Sequence, residues 1–257
     1  MTKNNQKVCF CTLSLGERYR SMAKQLAQDL EKYSPGTFLV VGTDKPDELI
    51  DCANILAFQF HQQGILHCFN DKRFVIKNAL EKFQTAIYLD ADTRIIGDLP
   101  DRLDYSPGII GCHRNIIEHV SKYRSQDLEN IKKVASKLEI PIQNTDWIGE
   151  SLFAVTRDAG KEQEFLKTWG IIALYLELKG MHSGEGSIMG LAAVKVGWKV
   201  AKTESWESLN QIRKHLDASL TKLPKSLWQS WQKRLGYHYR LNKSRLLALK
   251  NFNFYYR

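Results

Sequence analysis

Asp90 and Asp92 stand one residue apart in TAIYLDADTRI (residues 85–95), directly after a run of strand-forming apolar residues. Carboxylates at this spacing have two chemistries open to them and one plain structural use. With Ala91 between them, a turn can aim both at a single hard cation, Mg²⁺ or Mn²⁺, which takes oxygen ligands and completes its shell with substrate phosphates. The first can instead be a phosphatase nucleophile with the second as its general acid/base. The plain use is a polar turn that stops a strand.

The elements around the pair narrow these readings. KVCFCTLS (7–14), TFLVVGTD (37–44) and ILAFQF (55–60) are short, β-prone and apolar, as strands buried in a parallel sheet must be. Met22, Leu26, Leu30 and Tyr33 recur at helical steps within 17–33, and 71–83 reads as a second helix opened by Asn70 or Asp71. Strand and helix thus alternate up to the aspartates, which predicts an α/β, Rossmann-like fold with a mostly parallel central sheet. In such sheets ligands bind at the carboxyl ends of strands, where the pair falls. Further strands are expected at 108–112, 151–156 and 198–203, and helices near 117–138, 160–179 and 186–196.

A dehalogenase-like phosphatase needs Thr or Val two residues after its second aspartate, near the N-terminus. Here that position is Arg94, and some 85 residues of α/β pattern come first. LSLGER lacks the glycine spacing of dinucleotide folds and of P-loops, so phosphates would be held by metal and cations.

DKRFVIKNALEKFQTAIYLDADTRI (71–95) resembles the D-x-D region of GT-A-fold glycosyltransferases, of the glycogenin-like and histo-blood-group-like type; the likeness spans about residues 7 to 115. The resemblance implies a metal-dependent hexosyltransferase that uses a nucleotide-diphosphate sugar, UDP-linked, with Asp90 and Asp92 on Mn²⁺ or Mg²⁺. It also implies that Thr12, Leu13, Ser14 and Tyr19 contact the base and that Thr43 and Asp44 flank it. Lys72, Arg73 or Lys77 would approach the sugar or diphosphate, with Ala91 among the nucleotide-sugar positions. DWIGESLFAV (146–155) and HSGEGSIMG (182–190) match the donor-sugar loop and the acidic helix start of similar enzymes, which makes Glu150 and Glu185 the candidate catalytic carboxylates. The glycines beside Glu185 permit close backbone approach to a ligand. The third metal ligand that many retaining members draw from a C-terminal H-x-x-G-x-x-K-P-W motif is missing, and His238 is the sole histidine of the tail.

Charge is placed as unevenly as chemistry. The chain has 257 residues and a net charge of +9; Asp217 is the last acidic residue, and the nine Lys and Arg after it account for the whole excess. Residues 1–217 read as one GT-A-like domain and 218–257 as a basic, aromatic, helical C-terminal appendage. Such a segment can lie on an anionic bilayer, cover the donor site or bind an acidic glycan, which suits a glycan or lipid-linked acceptor. Nucleic acid is the less favoured partner, because no recognition motif accompanies the charge. No apolar stretch reaches the length of a membrane span, no signal-peptide pattern opens the chain, and five scattered cysteines form no metal motif. A cytoplasmic protein, peripheral on the inner face of the membrane, is the expectation.

Overall fold

The structure, a computed structural model, describes residues 7–100, 103, 105–218 and 227–257; Lys222 and Lys225 of the cationic tail lie outside the described residues. The chain runs β1 (Val8–Ser14), α1 (Glu17–Tyr33), β2 (Leu39–Thr43), β3 (Ile55–Gln59), α2 (Lys72–Lys82), β4 (Thr85–Leu89) and β5 (Thr93–Ile95). There follow β6 (Gly108–Asn115), α3 (Ile116–Tyr123), α4 (Leu128–Lys137), β7 (Asp146–Thr156), α5 (Lys161–Leu178) and α6 (Glu185–Lys195). The last described elements are α7 (Glu204–Gln211), β8 (Arg213–His215), α8 (Leu227–Leu249) and α9 (Phe252–Tyr256).

Six strands form one sheet in the order β3-β2-β1-β4-β7-β6, and β5 pairs with β8 in a separate small sheet. The first four are parallel neighbours, while β7 runs antiparallel to both β4 and β6. The sheet is therefore mixed but mostly parallel. All five residues of both β2 and β4 are buried, as their unbroken apolar sequences require when helices cover both faces.

On one face Ala23, Leu26, Ala27 and Leu30 of α1 pack with Trp206 and Leu209 of α7 on Phe10, Val41, Ile87 and Leu89. On the other, α2, α5 and α6 cover Cys11, Leu13, Val40 and Tyr88, with Trp169 and Phe165 fully buried between them. Burying each such side chain contributes about 1.5–3 kcal/mol.

The expected helix 117–138 is two helices. Arg124 leaves helical geometry (φ −153°, ψ 48°), and its guanidinium bonds Asp127 Oδ2 and Ser183 Oγ, both at 2.6 Å. The expected strand 198–203 is reduced to one bridge between Ile110 and Ala201. Trp198 is held by Asp158 (Nε1 to Oδ2, 2.8 Å) and Thr203 already caps α7, so too few residues remain to extend the ladder. β7 begins at Asp146, well before the expected 151. The cysteines are all free; Cys9 and Cys11 are buried as expected of strand residues, but Cys112 is exposed where the β6–β7 register shifts.

α8 packs by one face on the body: Arg240 Nε donates to the Gly64 and Ile65 carbonyls (2.9 and 3.2 Å), and Lys243 Nζ to Gln63 Oε1 (2.9 Å). No described helix is long and apolar enough to cross a membrane.

Candidate functional site

β4 stops at Leu89 because the next four residues form a turn, closed by the Thr93 amide donating to the Asp90 carbonyl at 3.0 Å. The polar-turn reading of the pair is thus correct as far as it goes. The same turn places Asp90 and Asp92 at the carboxyl edge of the parallel strands and starts β5. There Thr93 pairs with His215 across the small sheet. The register is fixed twice more by Asp92 itself, whose backbone carbonyl accepts from Leu216 N (2.8 Å) and whose Oδ2 accepts from Ala218 N (2.9 Å).

This pairing brings His215, which the sequence pattern did not single out, up to the two aspartates. Asp90, Asp92 and His215 each offer one ligand atom, all within 4.8 Å of one another. His215 Nδ1 lies 3.5 Å from Asp92 Oδ1, and its Nε2 3.6 Å from Asp217 Oδ1. One oxygen of each aspartate is also engaged from behind, Asp92 Oδ2 by the Ala218 amide and Asp90 Oδ1 by Lys72 Nζ at 3.0 Å. Two oriented carboxylates and an imidazole are a donor set that can hold a divalent cation.

Lys72 is the hub behind the aspartates. Its ammonium also contacts Glu185 Oε1 (2.9 Å), donates to the Glu150 carbonyl (2.9 Å) and lies 5.0 Å from the centre of the Tyr88 ring. Burial opposes its charge, but Asp90 and Glu185 prevail and hold its pKa well above that of an ordinary lysine. Glu185 opens α6 after Gly184, whose φ of +87° suits glycine. Glu150 approaches from β7, and its Oε1 accepts the Gly186 amide at 3.0 Å. Burial, then the neighbouring Glu185 carboxylate, pushes the Glu150 carboxyl up to about 7.

A cleft of about 490 Å³ opens in front of Lys72 and the aspartates, lined by Leu13, Tyr19, Lys72, Asp90, Ala91, Asp92 and His215; Glu150 and Glu185 are not among its walls. Burial and then Asp92 raise the Tyr19 phenol. Sequence reasoning missed the other walls: Leu66, His67 and Phe69 of the 61–71 segment, Asp217, and Lys233 of α8. Burial lowers the pKa of His67, whose ring stacks on Phe69 at 4.9 Å.

The remaining candidates point elsewhere. Strand alternation sends Thr12, Ser14 and Thr43 to the α1 face of the sheet, opposite Leu13. Asp44 is occupied by Gly16 N (2.9 Å) and Arg20 Nη1 (2.7 Å). Arg73 turns to the Asn70 carbonyl and the Phe74 ring, and Lys77 is exposed on the helix beyond it. His238 is exposed on α8 with its ring against Tyr237. Arg94, the residue out of place for a phosphatase, grips Asp29 on α1 with two bonds of 2.6 and 2.8 Å. Glu150 lines instead a smaller cavity of about 150 Å³, together with Trp147, His119 and Arg124; the Trp147 and His119 rings stack at 3.9 Å.

No protein family matches this chain, and no curated protein does.

Proposed function

We propose that this chain is a metal-dependent glycosyltransferase of the GT-A type, moving a hexose from a nucleotide-diphosphate sugar, UDP-linked, to a glycan or lipid-linked acceptor. The observation that carries the reading is the grouping of Asp90, Asp92 and His215 at one end of the cleft. Their mixed oxygen and nitrogen donors favour Mn²⁺ over Mg²⁺, which prefers an all-oxygen shell. Asp90, Asp92 and His215 would hold the ion, which would supply charge neutralisation for a departing diphosphate.

The chain's own residues account for the rest. Leu13 and Tyr19 provide an apolar and aromatic wall for a flat base. Lys72 holds Asp90 and Glu185 in place and balances part of their charge; in a retaining reaction the Glu185 carboxylate, just behind Lys72, would steady positive charge at the anomeric carbon. Glu150, with its carboxyl near 7, is the group suited to exchange a proton at neutral pH. In an inverting reaction it would take the acceptor hydroxyl's proton, from the side of the smaller cavity that it lines, while the new C–O bond forms and the bond to the diphosphate breaks.

Calorimetry with UDP and Mn²⁺ tests the reading. Metal-dependent UDP binding that disappears in Asp92→Ala is expected; equal binding with and without metal, or an unaffected variant, would overturn it. A donor screen that follows sugar-nucleotide hydrolysis then identifies the sugar. Turnover of a phosphate ester without such hydrolysis points to a dehalogenase-like phosphatase instead.

A further inference from the structure

The outer face of α8 has no role in the cleft. Its 23 residues contain no aspartate or glutamate, and at the helical rise it is about 35 Å long. Trp228, Trp231, Leu235, Tyr239, Leu246 and Leu249 follow one another at steps that keep them in a single stripe, and each is 54–70% exposed. Directly opposite lie Ser244 and Ala248, both buried, and Arg240, bonded to the body. The stripe therefore faces away from the protein. Arg234 and Arg245 border it on one side and Lys250 on the other, all exposed; Lys243, beside Lys250, is turned to Gln63 of the body.

We propose that this stripe is a docking surface for an anionic lipid bilayer, on which α8 lies flat with its tryptophans and leucines in the acyl boundary and its flanking cations at the headgroups. An apolar centre with cationic borders is the pattern of an interfacial helix. A second copy of the chain fits less well, because stripe-to-stripe packing brings both sets of border cations together with no acidic residue on either helix to separate them. Nucleic acid would need its cations at the centre of the presented face, where here the side chains are apolar. The proposal does not depend on the chemistry of the cleft, although the opposite side of α8 contributes Lys233 to that cleft.

The test is flotation of the full chain with vesicles of phosphatidylcholine alone and of phosphatidylcholine mixed with phosphatidylserine, with tryptophan emission read in parallel. Binding to the mixed vesicles, weaker binding to the neutral ones and a blue-shifted emission are expected. The triple variant Trp231→Ser, Leu235→Ser, Tyr239→Ser should lose about tenfold or more in affinity. All three positions are exposed, so its thermal melt should match that of the parent chain. Arg234→Glu with Arg245→Glu should abolish the preference for phosphatidylserine. The proposal is overturned if the parent chain binds neither vesicle, or if the triple variant binds as the parent does. It is equally overturned if sedimentation shows a dimer that the triple variant dissolves while vesicle binding is absent, or if only duplex DNA or RNA is bound.

Discussion

Lys72 has no solvent to lean on and two carboxylates to satisfy, so its loss is costly. Lys72→Met keeps the stem's packing but leaves Asp90 and Glu185 facing each other without a counter-charge. Removing one partner of a buried ion pair costs about 3–5 kcal/mol, and urea denaturation should show a loss of that size. His215 behaves differently. It is exposed on a short strand, so His215→Ala should leave the melt nearly unchanged while weakening Mn²⁺ binding by about 10–100-fold, as measured by electron paramagnetic resonance. The contrast between these residues also explains what the sequence could disclose. Asp90 and Asp92 are legible because one turn after one strand delivers both. His215 is not, because it reaches them through a three-residue strand whose partner is remote in the chain. Among Lys72, Arg73 and Lys77 composition cannot choose; the phase of α2 on the sheet does, and it selects the first.

The junction between α6 and β7 sets the positions of both candidate catalytic carboxylates. Gly186 and Gly190 sit so close to β7 that a methyl group would collide with the carbonyl oxygens of Ile148 and Asp146 respectively. Backbone cannot yield as a side-chain tip can. Gly190→Ala should therefore destabilise by about 1–3 kcal/mol in a thermal melt and, by lifting α6, reduce sugar-nucleotide turnover more than it reduces UDP binding. Periodicity disclosed α1, α2 and the buried strands, whose apolar pattern follows directly from helices packed on both faces of the sheet. It misjudged 117–138 and 198–203, where the outcome depends on tertiary partners, Arg124 with Ser183 and Trp198 with Asp158, that no local window contains.

At the scale of the whole molecule, the 61–71 segment, α5 and α8 meet around Asp71. Its carboxylate accepts from the amides of Gln63 and Gly64, and Glu177 accepts from Ile65 N and from Asn70. Burial pushes the Asp71 carboxyl up to about 6, against the pull of those amides and of Arg73 and Arg240. Its folded value thus exceeds its unfolded one near 3.8, so between the two the native state binds more protons. Stability from this group is fully present below the unfolded value and is lost as pH rises through about 6, by about 3 kcal/mol. Denaturation midpoints across this window should fall with pH, and Asp71→Asn should flatten the slope. The same segment that Arg240 and Lys243 hold in place also supplies Leu66, His67 and Phe69 to the cleft. Clamp and cleft share one segment, so Arg240→Ala, which removes the bonds to the Gly64 and Ile65 carbonyls, should weaken ligand binding in the cleft without touching a cleft wall.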